Sequence, residues 1–151
     1  MIVVATDEEY KLARKRFKHH LIIKTGVGGI NVIRKLKHFP KWLKIINFGY
    51  VGSNNIPIGT EVKIFESKLY HPNVEYLEPA YLLNCNLLEE NLVDCYTSND
   101  FVLTTDIKEP CVFDMELAYI MALGFKNVTS IKIVSDNLSL KEYEETFKEE
   151  L

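Results

Sequence analysis

Long apolar runs are missing from this 151-residue chain. None approaches the roughly 20 residues a membrane-spanning helix needs, so no span is expected. Metal-ligand spacing is missing as well. Cys85, Cys95 and Cys111 are odd in number and stand far apart in the sequence. That argues against a thiolate metal centre and for free thiols in a reducing, cytoplasmic compartment. No sign of charge dominates. Lys and Arg number 18 against 21 Asp and Glu, a net charge of -3 that gives no global basis for binding nucleic acid. The one basic cluster, Lys11 to His20 (KLARKRFKHH), reads as the solvated face of a first helix. Met1 leads directly into IVVA and an acidic run, so no secretory signal is expected. Repeats, linkers and low-complexity stretches are also lacking. The expectation is one domain spanning residues 1–151, long enough to bury roughly 70% of its unfolded surface.

What is present is an alternation of short apolar runs and amphipathic stretches. Met1 to Ala5 reads as a buried strand, followed by a helix to about Lys18. Thr6 and Glu9 fit a capping box at its start. Glutamine also serves in such a box, so Glu9→Gln is expected to keep the cap. Leu21 to Thr25 reads as a second strand, and Gly26 to Gly29 turns it into a helix over about Ile30 to His38. Lys44 to Phe48 is a third strand, a fourth runs to about Glu66, and Leu92 to Tyr96 is a fifth. Val112 to Phe125 reads as one mostly buried helix with a glycine stop at Gly124. Glu116 would then sit near the positive end of its dipole. Val128 to Val134 reads as a strand ending in Ser135-Asp136-Asn137. Ser139 and Glu142 form another capping box, opening a polar helix that runs to the C-terminus. Such alternation argues an α/β fold with a largely parallel sheet, whose ligands bind beyond the carboxyl ends of strands.

Two segments carry a resemblance. FDMELA at Phe113–Ala118 and KIVSDN at Lys132–Asn137 resemble the paired motifs of the purine nucleoside phosphorylase and nucleosidase superfamily. Within it they are most similar to the 5'-methylthioadenosine/S-adenosylhomocysteine nucleosidases. Further segments match in order: the acidic run after the first strand, the glycine turn at Gly26–Gly29, and Asn47–Ser53 (NFGYVGS), which stands for a glycine-serine loop. Pro57–Val62, Leu69-Tyr70-His71 and Thr97–Val102 follow in the same way.

The resemblance implies a three-layer α/β/α sandwich with a central mixed, largely parallel sheet. It implies hydrolysis of the N-glycosidic bond of a purine nucleoside, with no metal or organic cofactor, and a homodimer. Carried over, Asp136 acts on N7 of the base with Ser135 orienting it, and Glu9 activates water. Glu116 binds the ribose hydroxyls and Met115 packs on the sugar. Phe101 and Val102 meet the base, and Tyr50 and Gly52 lie beside it. His71 reads instead as a turn residue.

The chain also departs from the family. Tyr50 replaces a serine, Lys132 an arginine, and the stretch from Pro72 to Asn91 is much shortened. Two alternatives therefore stand beside hydrolysis. One is a phosphorylase using phosphate in place of water. The other is a non-catalytic nucleoside-binding protein.

Overall fold

The structure, a computed structural model, describes residues 1–71 and 80–148. Strand β1 (Ile2–Val4) leads into α1 (Asp7–Arg16), and β2 (Ile22–Lys24) into α2 (Gly29–Leu36). Three strands follow, β3 (Lys44–Ser53), β4 (Glu61–Leu69) and β5 (Tyr81–Leu82). Then come β6 (Leu92–Thr97), β7 (Cys111–Asp114), α3 (Leu117–Ala122), β8 (Asn127–Asp136) and α4 (Leu140–Lys148). Part of the shortened stretch, and the last residues of the expected C-terminal helix, lie outside the described residues.

The fold is mixed α/β around a central mixed sheet. Strand order is β2-β1-β3-β7-β6-β4-β5, and β8 pairs with both β3 and β4. Five of the eight pairings among the described residues are parallel. Because β8 bridges β3 to β4, the strands β3-β7-β6-β4-β8 close into a ring. An open sheet sandwiched between helices therefore describes only the β2-β1-β3-β8 part. There, alternate residues of each strand point to opposite faces. Ile2 and Val4 pack with Ala13 of α1 and with Phe48 and Ile131. Val3 packs the other way, with Val32 and Leu36 of α2, Ile45, and Leu117 and Ile120 of α3.

Two elements differ from the sequence reading. Residues Asn47–Ser53 are not a loop. β3 runs through them, paired with β8 from Lys44–Asn127 to Gly52–Asp136. Glycines within a strand often mark close approach by another group rather than a turn. A Cβ on Gly49 would stand 2.5 Å from Oε2 of Glu9, and one on Gly52 would stand 2.9 Å from Oδ2 of Asp136.

Nor is Val112–Phe125 a single helix. Cys111–Asp114 is strand β7, fully buried between β6 and β3, and the helix is only Leu117–Ala122. A short apolar run fits a buried strand as well as a buried helix, and here the partner strands decide. Gly124 does end the helix, at φ +91°. The helix is too short for the expected dipole effect on Glu116. Its first turn is held instead by Asp114, whose Oδ2 accepts the Leu117 N–H at 2.7 Å.

The basic cluster lies mostly on the exposed face of α1, where Arg16 pairs with Glu61. Among the described residues no helix is long and apolar enough to cross a membrane.

Candidate active site

β1, β3 and β8 are mutually parallel, so their carboxyl ends open on the same side of the sheet. A cavity lies there. It is lined by Glu9, Tyr50, Gly52, Ser135 and Asp136 together with Phe101, Val102, Met115 and Glu116. Every site residue read from the sequence thus faces one space, although they come from five separate segments.

Glu9 starts at the head of α1. Its capping box with Thr6 is formed: Thr6 Oγ1 accepts the Glu9 N–H at 3.2 Å and Glu9 Oε1 accepts that of Thr6 at 3.1 Å. The same carboxylate does more. Oε1 accepts the Ala5 N–H at 2.8 Å, and Oε2 accepts the Tyr50 N–H at 2.7 Å across bare Gly49. Glu9 therefore clasps β1 to β3 and is only 6% exposed. Burial raises its pKa, while Lys132 and the three backbone N–H groups pull it down less strongly.

Asp136 ends β8, which bulges at Ser135, and it is 1% exposed. Ser135 Oγ donates to Oδ1 at 2.8 Å. The Leu138 N–H donates to Oδ2 at 3.0 Å, aimed there by the left-handed backbone of Leu138 at φ +64°. A non-glycine residue in that region is strained, and such strain gathers at functional sites. Burial raises the Asp136 pKa against these hydrogen bonds. This is the direction a proton donor needs.

Glu116 stands just before α3. Its Oε2 accepts the N–H of Gly28 at 2.8 Å, which ties the glycine turn to the site. Burial first, and then the neighbouring Asp114, push its pKa up to about 8. In the unfolded chain it would titrate near the usual carboxylate value. Between those values the folded state holds a proton that the unfolded state has lost, so Glu116 makes stability fall as pH rises. Melting temperature measured from pH 5 to pH 8 should decline, and the decline should be shallower in Glu116→Gln. Equal slopes in the two proteins would show that the carboxyl is not held protonated.

Other residues line the cavity too, and among them Asp114, Leu138 and Tyr143 were not read as site residues from the sequence. Tyr143 and Phe147 repeat at helical spacing on a largely polar α4, a signal that could have been used. Their rings meet at 4.8 Å, Phe147 meets Tyr50 at 4.9 Å, and Tyr143 meets Phe101 at 5.6 Å. Thr146 Oγ1 fastens the helix to the Ser135 carbonyl at 2.7 Å. The second capping box is half formed. Ser139 Oγ accepts the Glu142 N–H at 3.3 Å, but Glu142 Oε1 takes the Asn137 N–H at 3.1 Å.

His71 lies outside the cavity, in an adjoining hollow with Tyr70, Ser98 and Asn99 that shares the wall Asp100-Phe101-Val102. The cavity encloses about 100 Å³ and the hollow about 350 Å³. The cavity alone falls short of the roughly 300–1,000 Å³ usual for small-molecule sites, while the adjoining hollow reaches it. Among the described residues no group of three or more His, Cys, Asp or Glu is placed to hold a metal ion.

Solved structures share this architecture. A nucleosidase (MTAN) of Chlamydia trachomatis, an asparagine-for-aspartate variant bound to MTA, superposes with a TM-score of 0.78 at 16% identity. The match covers 98% of this chain and 86% of that one. The S-adenosylhomocysteine nucleosidase of Streptococcus pyogenes, in complex with 5-methylthiotubericidin, gives 0.73 at 18% over 98% and 87%. The S. pneumoniae 5'-methylthioadenosine/S-adenosylhomocysteine nucleosidase, with a transition-state inhibitor, gives 0.72 at 18% over 98% and 89%. The fold is that of these nucleosidases. No family model and no curated protein matches the chain. Within this nucleosidase fold the cavity lies at the mouth of the β1-β3-β8 strands, where its carboxylates converge.

Proposed function

We propose that the protein hydrolyses the N-glycosidic bond of a purine nucleoside, in the manner of the methylthioadenosine and adenosylhomocysteine nucleosidases. The observation that carries this is the convergence of Glu9, Glu116 and Asp136 in one cavity, each with its pKa raised by burial.

Asp136 gives its proton to N7 while Ser135 holds the other carboxyl oxygen. The C1'–N9 bond then breaks with its electron pair passing to the base. Water adds its oxygen to C1' and gives its proton to Glu9. Oε2 of Glu9 accepts one backbone N–H, and a carboxylate oxygen has a second lone-pair direction for such a water. Glu116 accepts the ribose hydroxyls, with Met115 against the sugar. Phe101 and Val102 take the base, and Tyr50 and Gly52 border it. General acid help of this kind is worth roughly 10² to 10⁴ in rate.

Phosphorolysis fits less well. Anion binding wants arginine forks or lysines, yet none is among the described residues lining the cavity. Lys132, near the cavity, is buried and paired with Asp114. Pure binding without turnover has one observation in its favour, since both oxygens of Glu9 already serve the backbone.

The three readings separate in one experiment. The protein is incubated with adenosine, inosine, methylthioadenosine and adenosylhomocysteine, with and without phosphate, and free base is measured. Base released without phosphate is the expected result. Release that depends on phosphate makes the protein a phosphorylase. A raised melting temperature with every nucleoside left intact makes it a binding protein. As a nucleosidase, the protein would act in the cytoplasm and as the homodimer its resemblance implies.

A further inference from the structure

Lys132 is a lysine in the middle of β8, 2% exposed, on the side of the strand turned away from α1. Its Nζ lies 3.4 Å from Oδ2 of Asp114. Asp114 is itself committed on both oxygens. Oδ2 accepts the Leu117 N–H at 2.7 Å, and Oδ1 accepts the Thr97 hydroxyl at 2.5 Å. Thr97 Oγ1 accepts the Ala118 N–H at 3.0 Å. Asp114 and Thr97 therefore grip the first turn of α3 directly after Glu116. The groups whose charge acts on Lys132 are Asp114 of β7, in direct contact, and at longer range the Cys95 thiol of β6, Glu9 at the head of α1 and Glu116 before α3. Burial opposes the charge on Lys132, but the acidic neighbours outweigh it and raise the lysine pKa. A single cation is thus shared among three acidic side chains.

We propose that Lys132 and Asp114 form a positioning pair for this site: Asp114 sets where the chain turns after Glu116, and Lys132 supplies the buried positive charge shared by Glu9 and Glu116. Neither residue need touch substrate. The pair's effect on turnover rests on the nucleosidase reading, but its effect on the two carboxyls does not. Removing the lysine removes an attraction from both carboxylates, so both should titrate at higher pH. Removing the aspartate charge relieves Glu116 of a repulsion, so Glu116 should titrate at lower pH.

The test follows the side-chain carboxyl carbons of Glu9 and Glu116 by NMR through a pH titration of the full chain. The Glu116 midpoint, about 8 in the wild type, should rise in Lys132→Met, fall in Asp114→Asn and hold in Lys132→Arg. General loosening of the site would move both single variants the same way. Breaking one half of a buried ion pair can unfold a protein, whereas removing both charges is often tolerated. The double variant Lys132→Met with Asp114→Asn therefore completes the set. There Glu9, whose carboxylate is held by the Ala5, Thr6 and Tyr50 N–H groups, should still shift upward.

Base release is measured on the same samples, and Lys132→Met should lose at least tenfold in kcat while Lys132→Arg stays within a few-fold. Glu116 shifts of the same sign in the two single variants, or an unmoved Glu9 in the double variant, overturn the proposal. The expected shifts with no base released by any form, wild type included, leave it standing and sink the nucleosidase reading. Unmoved midpoints beside normal wild-type turnover do the reverse.

Discussion

Asp136→Asn should lower turnover of purine ribonucleosides by two or more orders of magnitude while nucleoside binding persists within a few-fold. Asparagine keeps the size of the side chain. It can still accept from Ser135 Oγ or the Leu138 N–H, two of the bonds that hold Asp136 in place. It can also donate a hydrogen bond to N7, but it has no proton to transfer. The loss should therefore fall on kcat rather than on KM. Burial favours the protonated acid at this position. A 7-deaza nucleoside, which offers no N7 acceptor, should bind the wild type and resist cleavage. An asparagine variant as fast as wild type, or equal cleavage of the 7-deaza compound, would remove Asp136 from the mechanism.

Glu9→Gln should be costly twice over. From sequence alone the substitution leaves stability unchanged, because glutamine can complete a capping box. The tertiary structure alters that expectation. Glutamine's carbonyl can replace Oε1 toward Ala5 and Thr6, but its amide then stands where Oε2 accepts the Tyr50 N–H. Two donors face each other in a buried place. An unsatisfied buried donor costs about 1–3 kcal/mol. For a domain of this size that is a melting temperature lower by roughly 3–10 °C. Base release, assayed well below the melting transition, should also fall by at least a hundredfold, since the group that takes the proton from water is gone. A variant with lowered melting temperature but full turnover would make Glu9 a clasp alone. Unchanged stability would contradict the Tyr50 contact.

The strands and helices that periodicity marks clearly are where the sequence places them, because each buries one face against its neighbours. Glu9, Glu116 and Asp136 were legible because they follow apolar strands or interrupt an apolar run. The resemblance, not spacing, put them in one site. Gly49 and Gly52 misled because a glycine opening a turn and a glycine yielding to a side chain look alike in one dimension. Only the arrival of Glu9 and Asp136 from distant segments tells them apart. Tyr143 was passed over because two aromatics on a charged helix read as partly solvated until Phe101 and Tyr50 are seen against them.

Taken by itself, the sequence determined the α/β class, the cap on α1, the stop at Gly124, the want of membrane-length apolar runs and the residue types available for chemistry. These are local matters: burial periodicity, backbone freedom and short-range hydrogen bonds act within a few residues. Tertiary structure alone decided that β8 joins β3 to β4 and closes the sheet, that Cys111–Asp114 is a strand, and that Lys132 meets Asp114 beneath the cavity. Each of those depends on which strand lies beside which. That pairing follows from burying all the apolar faces at once, a constraint on the whole chain that no window of sequence contains.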